Sequence, residues 1–216
     1  MKNNNLVQWL FVIILMCVPF IYMAMIWNQL PEQVALHFGA DGKPDRYGDK
    51  KGLLAPVLIL MAVSLGVYLL MKNIDKFDPK RAKQMSKETF NKFGLLIVFF
   101  LSGLSTYIVH SAVTEETGNF LFVILGLFFA ALGNLMHSVK PNYFVGIRVP
   151  WTLENEDNWR KTHQLASKIW FVGGLLMAVT ALFLPAGLSF YMFLVMIVVM
   201  GFIPVIFSYL EFKKTS

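Results

Sequence analysis

Six blocks of apolar residues, at 6–27, 53–71, 93–112, 119–136, 169–184 and 188–209, alternate with short polar segments along the chain. Each block is close to the roughly 20 residues a tilted helix needs to cross the hydrocarbon core, so the pattern predicts six membrane crossings. The first follows Met1-Lys2-Asn3-Asn4-Asn5 and is longer than a signal-peptide core, with no small-residue cleavage site after it, so it is expected to stay as a helix. Only Leu184-Pro185-Ala186-Gly187 divides the last two blocks. A single run that long would overshoot the bilayer, so a tight helical hairpin is expected there.

Between the first two blocks the period changes. Val34, Leu36 and Phe38 alternate with Gln33, Ala35 and His37, and Gly39-Ala40-Asp41-Gly42-Lys43-Pro44 is dense in turn formers. This predicts a strand entering a hairpin-like turn, a small cap over 28–52. The segment after the second block offers Asp78 as a helix N-cap and Pro79 at the first helical position, followed by Lys80, Arg81, Lys83, Lys87 and Lys92. It reads as an orientation signal or a helix on anionic lipid headgroups. After the fourth block, Asn155 is placed to cap a helix that runs on into the fifth crossing, with Glu156–Arg160 and Asp157–Lys161 as i,i+4 pairs. Trp159, His163, Ala166 and Trp170 then share one face.

Composition agrees with a membrane protein: 56% of the 216 residues are hydrophobic and 15% charged. The net charge of +6 does not indicate nucleic acid, because the basic residues are spread over interhelical segments rather than gathered on one face. Of the 19 Lys and Arg residues, 15 fall on one side of the predicted crossings. The other four are Lys43, Arg46, Lys50 and Lys51 of the cap. The positive-inside rule then puts both termini in the cytoplasm, the cap outside and the 137–168 loop inside. The predicted fold is an all-α six-helix membrane bundle with an extracellular hairpin-like cap and an ordered cytoplasmic loop. It divides into a 1–92 region and a 93–216 region.

The predicted crossings contain no Asp, Glu, Lys or Arg, which argues against a proton relay or a carboxylate ion pathway. Ser102, Thr106 and His110 recur at i, i+4 and i+8 on the third crossing, giving it a polar side toward the outer surface. Cys17 stands alone, so neither a disulfide nor a CxxC metal site is expected. The histidines fall into an outer pair, His37 and His110, and an inner pair, His137 and His163. An outer metal or transport site would take its remaining ligand from Glu115 or Asp41, although no ligand spacing supports it. Protease, esterase and phosphate-loop motifs are missing, so no catalytic residue, metal or cofactor is expected. A lipid-modifying site built on His163 and Arg148 is the remaining enzymatic reading.

The inner loop carries Gly133-Asn134, Lys140-Pro141-Asn142-Tyr143-Phe144, Gly146-Ile147-Arg148, Pro150-Trp151-Thr152-Leu153, Trp159 and Thr162-His163. In these residues it resembles the SdpI family of bacterial membrane proteins. The outer segment with Leu30-Pro31, His37-Phe38, Asp41-Gly42, Pro44-Asp45 and Tyr47-Gly48 looks like the small uncharacterised domain that often precedes the SdpI region. One departure is Ala166-Ser167-Lys168, where the family usually has a glycine before the lysine.

The resemblance implies a non-enzymatic protein of the bacterial cell membrane that gives immunity to a secreted membrane-active peptide toxin. It also implies, for some relatives, a receptor that holds a transcriptional repressor at the membrane. The family motif maps onto Asn134, Lys140, Pro141, Asn142, Gly146, Arg148, Pro150, Trp151, Thr152, Trp159, Thr162 and His163. For toxin contact the expected residues are Phe38, Tyr47, His37 and His110, since the cap lies beside the polar end of the third crossing. Arg148 and Trp151 are expected to be fixed against the start of the fifth helix.

Overall fold

The computed structural model describes residues 2–77, 87–114 and 118–215. Helix α1 spans Lys2–Ile26, the hairpin strands β1 and β2 span Gln33–Phe38 and Pro44–Asp49, and a 3-10 turn, Lys50–Leu53, leads into α2, Leu54–Lys72. The short α3, Ile74–Phe77, is followed by α4, Lys87–Thr114, and α5, Phe120–Met136. Next come α6, Pro150–Glu154, α7, Glu156–Ala181, and α8, Ala186–Thr215. Five of the described helices, α1, α2, α4, α7 and α8, are long and apolar enough to cross a membrane. The fourth predicted crossing is α5, apolar but only 17 residues long, about 26 Å at 1.5 Å per residue.

Several helices outrun their apolar blocks. α4 starts before Phe93, α7 starts before Ile169, and α8 continues past Tyr209. Hydropathy marks only the part of a helix suited to hydrocarbon, while backbone hydrogen bonding continues into polar turns. Asn155 caps α7 as expected, its side chain accepting from Asn158 N at 3.0 Å. The expected N-cap at Asp78 and the bases Lys80, Arg81 and Lys83 lie outside the described residues. Lys87 and Lys92 occupy the first turns of α4, where Lys87 Nζ donates to Asp75 of α3 at 2.7 Å. That hydrogen bond holds the Asp75 carboxyl below the usual carboxylate range.

The cap is an antiparallel hairpin with Val34 opposite Gly48 and Ala35 opposite Tyr47. The register slips on either side of His37, a bulge that interrupts strict alternation. Val34 and Ala35 are therefore both buried, while Leu36 and Phe38 are half-buried. Gly42 turns the hairpin at φ 79°, a conformation open to glycine. Val34 and Leu30 pack with Met23 of α1, Leu53 and Val57 at the start of α2, and Val109 and Ala112 of α4. The cap thus seals the ends of three helices. At the opposite end, Met71, Ile74, Phe90, Phe93, Met136, Val139 and Trp159 form a second core beneath the 137–168 loop.

Helices α5 and α7 meet through glycines. A Cβ added at Gly126 would lie 2.6 Å from both Ala178 N and Gly174 O, so the two backbones are in direct contact there. Dispersion at short range takes the place of the hydrophobic effect when helices associate in lipid.

Two of the described helices carry a proline in their interior, beyond the first turn, Pro19 in α1 and Pro204 in α8. Each lacks the N–H that would bond the carbonyl four residues earlier. Both orphaned carbonyls find a donor on a neighbouring helix. Ser102 Oγ of α4 donates to Leu15 O, and Trp170 Nε1 of α7 donates to Met200 O at 2.9 Å. Backbone groups left open in hydrocarbon cost several kcal/mol each, so these bonds fix the register of α1 on α4 and of α8 on α7.

Candidate functional site: the 137–168 loop and the outer groove

The 137–168 loop is held by side chains that replace secondary structure. Asn142, fully buried, uses every hydrogen-bonding position it has. Its Oδ1 accepts from Phe144 N at 2.8 Å and Val145 N at 2.7 Å, and its Nδ2 donates to Lys140 O at 2.8 Å and Val145 O at 3.0 Å. Gly146 then takes φ 119°, and His163 stands where a side chain there would project. His163 Nε2 accepts from Ile147 N at 3.0 Å, so that nitrogen carries no proton, and Nδ1 donates to Trp159 O at 2.8 Å. Thr152 Oγ1 accepts from Val149 N at 3.2 Å and shares its proton between the Ile147 and Val149 carbonyls. Pro150 opens α6, a position where its missing N–H costs nothing.

The same loop ties three helices together. Trp159 Nε1 donates to Val139 O at 2.8 Å, joining α7 to the chain leaving α5, and the Trp159 ring stacks on His163 at 4.1 Å between centroids. Asn158 Nδ2 donates to Ser208 O at 2.9 Å, and its Oδ1 accepts from Thr162 Oγ1 at 3.0 Å. Lys161 bridges Asp157 at 2.9 Å and Glu211 at 3.1 Å.

Two expectations need correction here. Trp151 is fixed not on α7 but on α8, with Nε1 donating to Ser208 Oγ at 2.8 Å and its ring against Tyr209 and Phe212. Arg148 is exposed and donates through Nη1 to the Tyr143 carbonyl. Likewise Arg160 pairs with Asp157 at i,i+3, 2.5 Å apart, not with Glu156.

The remaining motif residues lie at the loop's entry. Asn134 O accepts from His137 Nδ1 at 2.7 Å, Pro141 is half-buried and Lys140 is exposed. Lys140 lines a surface cavity of about 700 Å³ with His137, Ser138, Glu156, Arg160 and Gln164. His163 is only 1% exposed and both its ring nitrogens are engaged, so it acts as a strut rather than a base for lipid chemistry. Because Asn142 donates as well as accepts, Asn142→Asp is expected to lower stability by about 1–3 kcal/mol, since it sets a carboxylate against two carbonyls. Thermal unfolding in detergent reads this, with an unshifted midpoint as the contrary result.

The outer candidates split into two groups. His37 Nδ1 lies 2.6 Å from Asp45 Oδ1 on the exposed surface of the hairpin, with Tyr47 about half exposed and Phe38 opposite Pro44. His110 instead pairs with α1, its Nδ1 2.8 Å from Tyr22 Oη. No cluster of three or more His, Cys, Asp or Glu suited to a metal occurs among the described residues, and Glu115 lies outside them.

His110 faces a cavity of about 830 Å³ lined by α1, α4 and α5. The Ser102, Thr106 and His110 spacing pointed to the polar side of this groove. Tyr22 was missed because it sits inside an apolar block. Asn158 and Ser208 were missed as well, and Ser208, a serine near the end of an otherwise apolar and aromatic stretch, was the available signal.

Comparison with known proteins places this architecture. Residues 138–208 match the model of the SdpI/YfhL protein family, and residues 14–61 match a domain of unknown function (DUF1648). Residues 138–208 thus carry the SdpI/YfhL family pattern. The Immunity protein SdpI of Bacillus subtilis (strain 168) is 26% identical over 207 residues, covering 94% of this chain and 95% of that protein. An uncharacterized protein of Archaeoglobus fulgidus is 30% identical over 135 residues, covering 51% of this chain and 73% of its own length. No solved structure matches. The SdpI match begins inside the 137–168 loop and ends at Ser208, which holds Trp151 and Asn158.

Proposed function

We propose that this chain is a membrane immunity protein that protects its cell from a secreted membrane-active peptide. The observation that carries the reading is the match to an immunity protein along nearly the whole of both chains. The physical chemistry agrees: crossings free of Asp, Glu, Lys and Arg offer no pumping route, which leaves capture or shielding of the peptide. Peptide contact is assigned to the outer face, through Phe38, Tyr47, His37 and His110. The braced inner loop, with Lys140, Arg148 and Tyr143 exposed beside it, offers a cytoplasmic partner such as a repressor an ordered surface.

The test is survival, with membrane potential followed alongside, of sensitive bacteria challenged by a panel of secreted membrane-active peptides. Expression of the chain should protect against at least one. Phe38→Ala and Tyr47→Ala should each weaken protection about tenfold at unchanged abundance, as loss of an aromatic contact does. Full protection by a variant lacking residues 34–50, at normal abundance, would remove the cap from the mechanism.

We also assign six crossings, with α5 as the fourth, and both termini to the cytoplasm. In a chain with Cys17 replaced by Ala, Lys43→Cys should react with a membrane-impermeant thiol reagent in intact cells. Lys140→Cys should react only after lysis, and labelling of both in intact cells would refute the orientation.

A further inference from the structure

The groove beside α4 is open and graded in polarity, and its Thr106 hydroxyl, which donates to Ser102 O at 2.9 Å, keeps its acceptor side. Helices α1 and α5 flank α4 and form its walls through Leu15, Val18 and Tyr22 on one side and Phe120, Leu127 and Phe128 on the other. On α4 the lining extends from Leu96 to Thr114, about 27 Å of helix against a hydrocarbon core of about 30 Å. The groove is therefore as long as the bilayer is thick. It opens sideways to lipid, since Phe99, Leu127 and Phe120 are all more than half exposed. Its floor includes Gly103, where an added side chain would meet nothing within 4 Å.

Polarity along the groove is graded. The inner half, from Leu96, Phe100 and Phe128 to Ala131, is apolar apart from Ser102, whose hydroxyl donates to Leu15 O, and the rings of Phe100 and Phe128 stack there at 3.8 Å. The outer half presents Thr106, Tyr107 and the Tyr22–His110 pair. Nδ1 of His110 faces Tyr22, and the His110 side chain is exposed on the groove. A lipid tail reaches only mid-bilayer and has no polar group at the depth of Thr106, about 12 Å inside Thr114. A matching occupant is apolar over most of a bilayer-length span and carries a hydrogen-bonding group in its outer third.

We propose that this groove seats a membrane-spanning apolar peptide helix, with His110 meeting a polar side chain in the helix's outer third and Thr106 lying just below it. The proposal rests on the peptide-immunity reading and moves the principal contact from the cap surface into the membrane. Aromatic rings along both walls supply broad contact area at little entropic cost, as anchors at helix-binding grooves do.

The probe is a synthetic leucine- and alanine-rich helix of about 20 residues with one Asn in its outer third, and a sibling with Leu in place of that Asn. Full-length protein in phosphatidylethanolamine–phosphatidylglycerol vesicles carries a photo-crosslinking phenylalanine at Phe99, at Leu127 or, as a lipid-facing control, at Val195 on α8. The Asn peptide should cross-link at Phe99 and Leu127 at least about tenfold above Val195. Gly103→Phe, whose Cβ meets no neighbour and whose ring would occupy the groove, should abolish that excess. His110→Ala should remove the preference for the Asn peptide over its sibling.

Equal labelling at all three positions, lipid adducts alone, or adducts to a second copy of this chain would each overturn the proposal. The cellular assay separates the two readings. Protection by wild type and equally by Gly103→Phe, at equal abundance, would reject the groove and leave immunity standing. Failure of wild type to protect, with cross-linking intact, would reject immunity and leave the groove.

Discussion

Gly146→Ala is expected to collapse the inner loop, at a cost of about 3–5 kcal/mol, large for a single methyl group. Two effects combine. At φ 119° an alanine is strained by about 1–3 kcal/mol whatever surrounds it. The new Cβ would also overlap His163 Nε2 and come within 3.1 Å of Trp159 Cζ2. Relief requires His163 to move, which leaves Ile147 N without its acceptor and unstacks the ring from Trp159. The purified variant should be cut rapidly by protease between Tyr143 and Trp151, where the parent resists, and its unfolding midpoint should fall. Gly66→Ala provides the control, because a Cβ at Gly66 meets nothing within 4 Å. Equal protease resistance in Gly146→Ala and parent would mean that the glycine is not required.

The second large effect is expected at the α5–α7 contact. Gly174→Leu should prevent the two helices from closing, because the atoms its Cβ would strike are backbone, Ala130 N and Gly126 O. No rotamer change can relieve such a clash. Overpacking of this kind reaches about 3 kcal/mol or more, enough to lower the amount of folded protein severalfold. Gly174→Ala should do the same more mildly, whereas Gly201→Leu on α8 enters open space and should be tolerated. Comparable detergent-extracted yields for Gly174→Leu and Gly201→Leu would contradict this account of the helix pair.

How much of this was legible in the sequence depended on distance along the chain. Most local rules held: Asn155 caps α7, Asp157 pairs with Lys161, and Trp159, His163 and Ala166 share a buried face, although Arg160 takes Asp157 at i,i+3 in place of Glu156. The strand–turn–strand cap followed from turn chemistry, though not the bulge at His37, which depends on how β1 beds onto the ends of α1, α2 and α4. What sequence reasoning misplaced was set by long-range contact. Trp151 reaches Ser208 and Tyr22 reaches His110, partners 57 and 88 residues apart that no periodicity connects. The motif residues were recognised without their roles. Asn142, Thr152 and His163 turned out to hold the loop's own backbone, which explains why such polar types sit where hydropathy alone would leave a simple linker.

The proline-freed carbonyls bear on how the chain enters the membrane during synthesis. Leu15 O is satisfied by Ser102, which is translated 87 residues later. The first helix therefore reaches the bilayer with an open acceptor and keeps it until α4 arrives. Met200 O is in the opposite position, because Trp170 precedes it and its donor is already in place when α8 emerges. An unmet carbonyl in hydrocarbon is costly, so α1 is held least firmly early in translation and α8 docks as it inserts. The order of the two donors in the chain thus makes assembly directional: α1 waits for a helix made after it, whereas α8 meets a donor made before it.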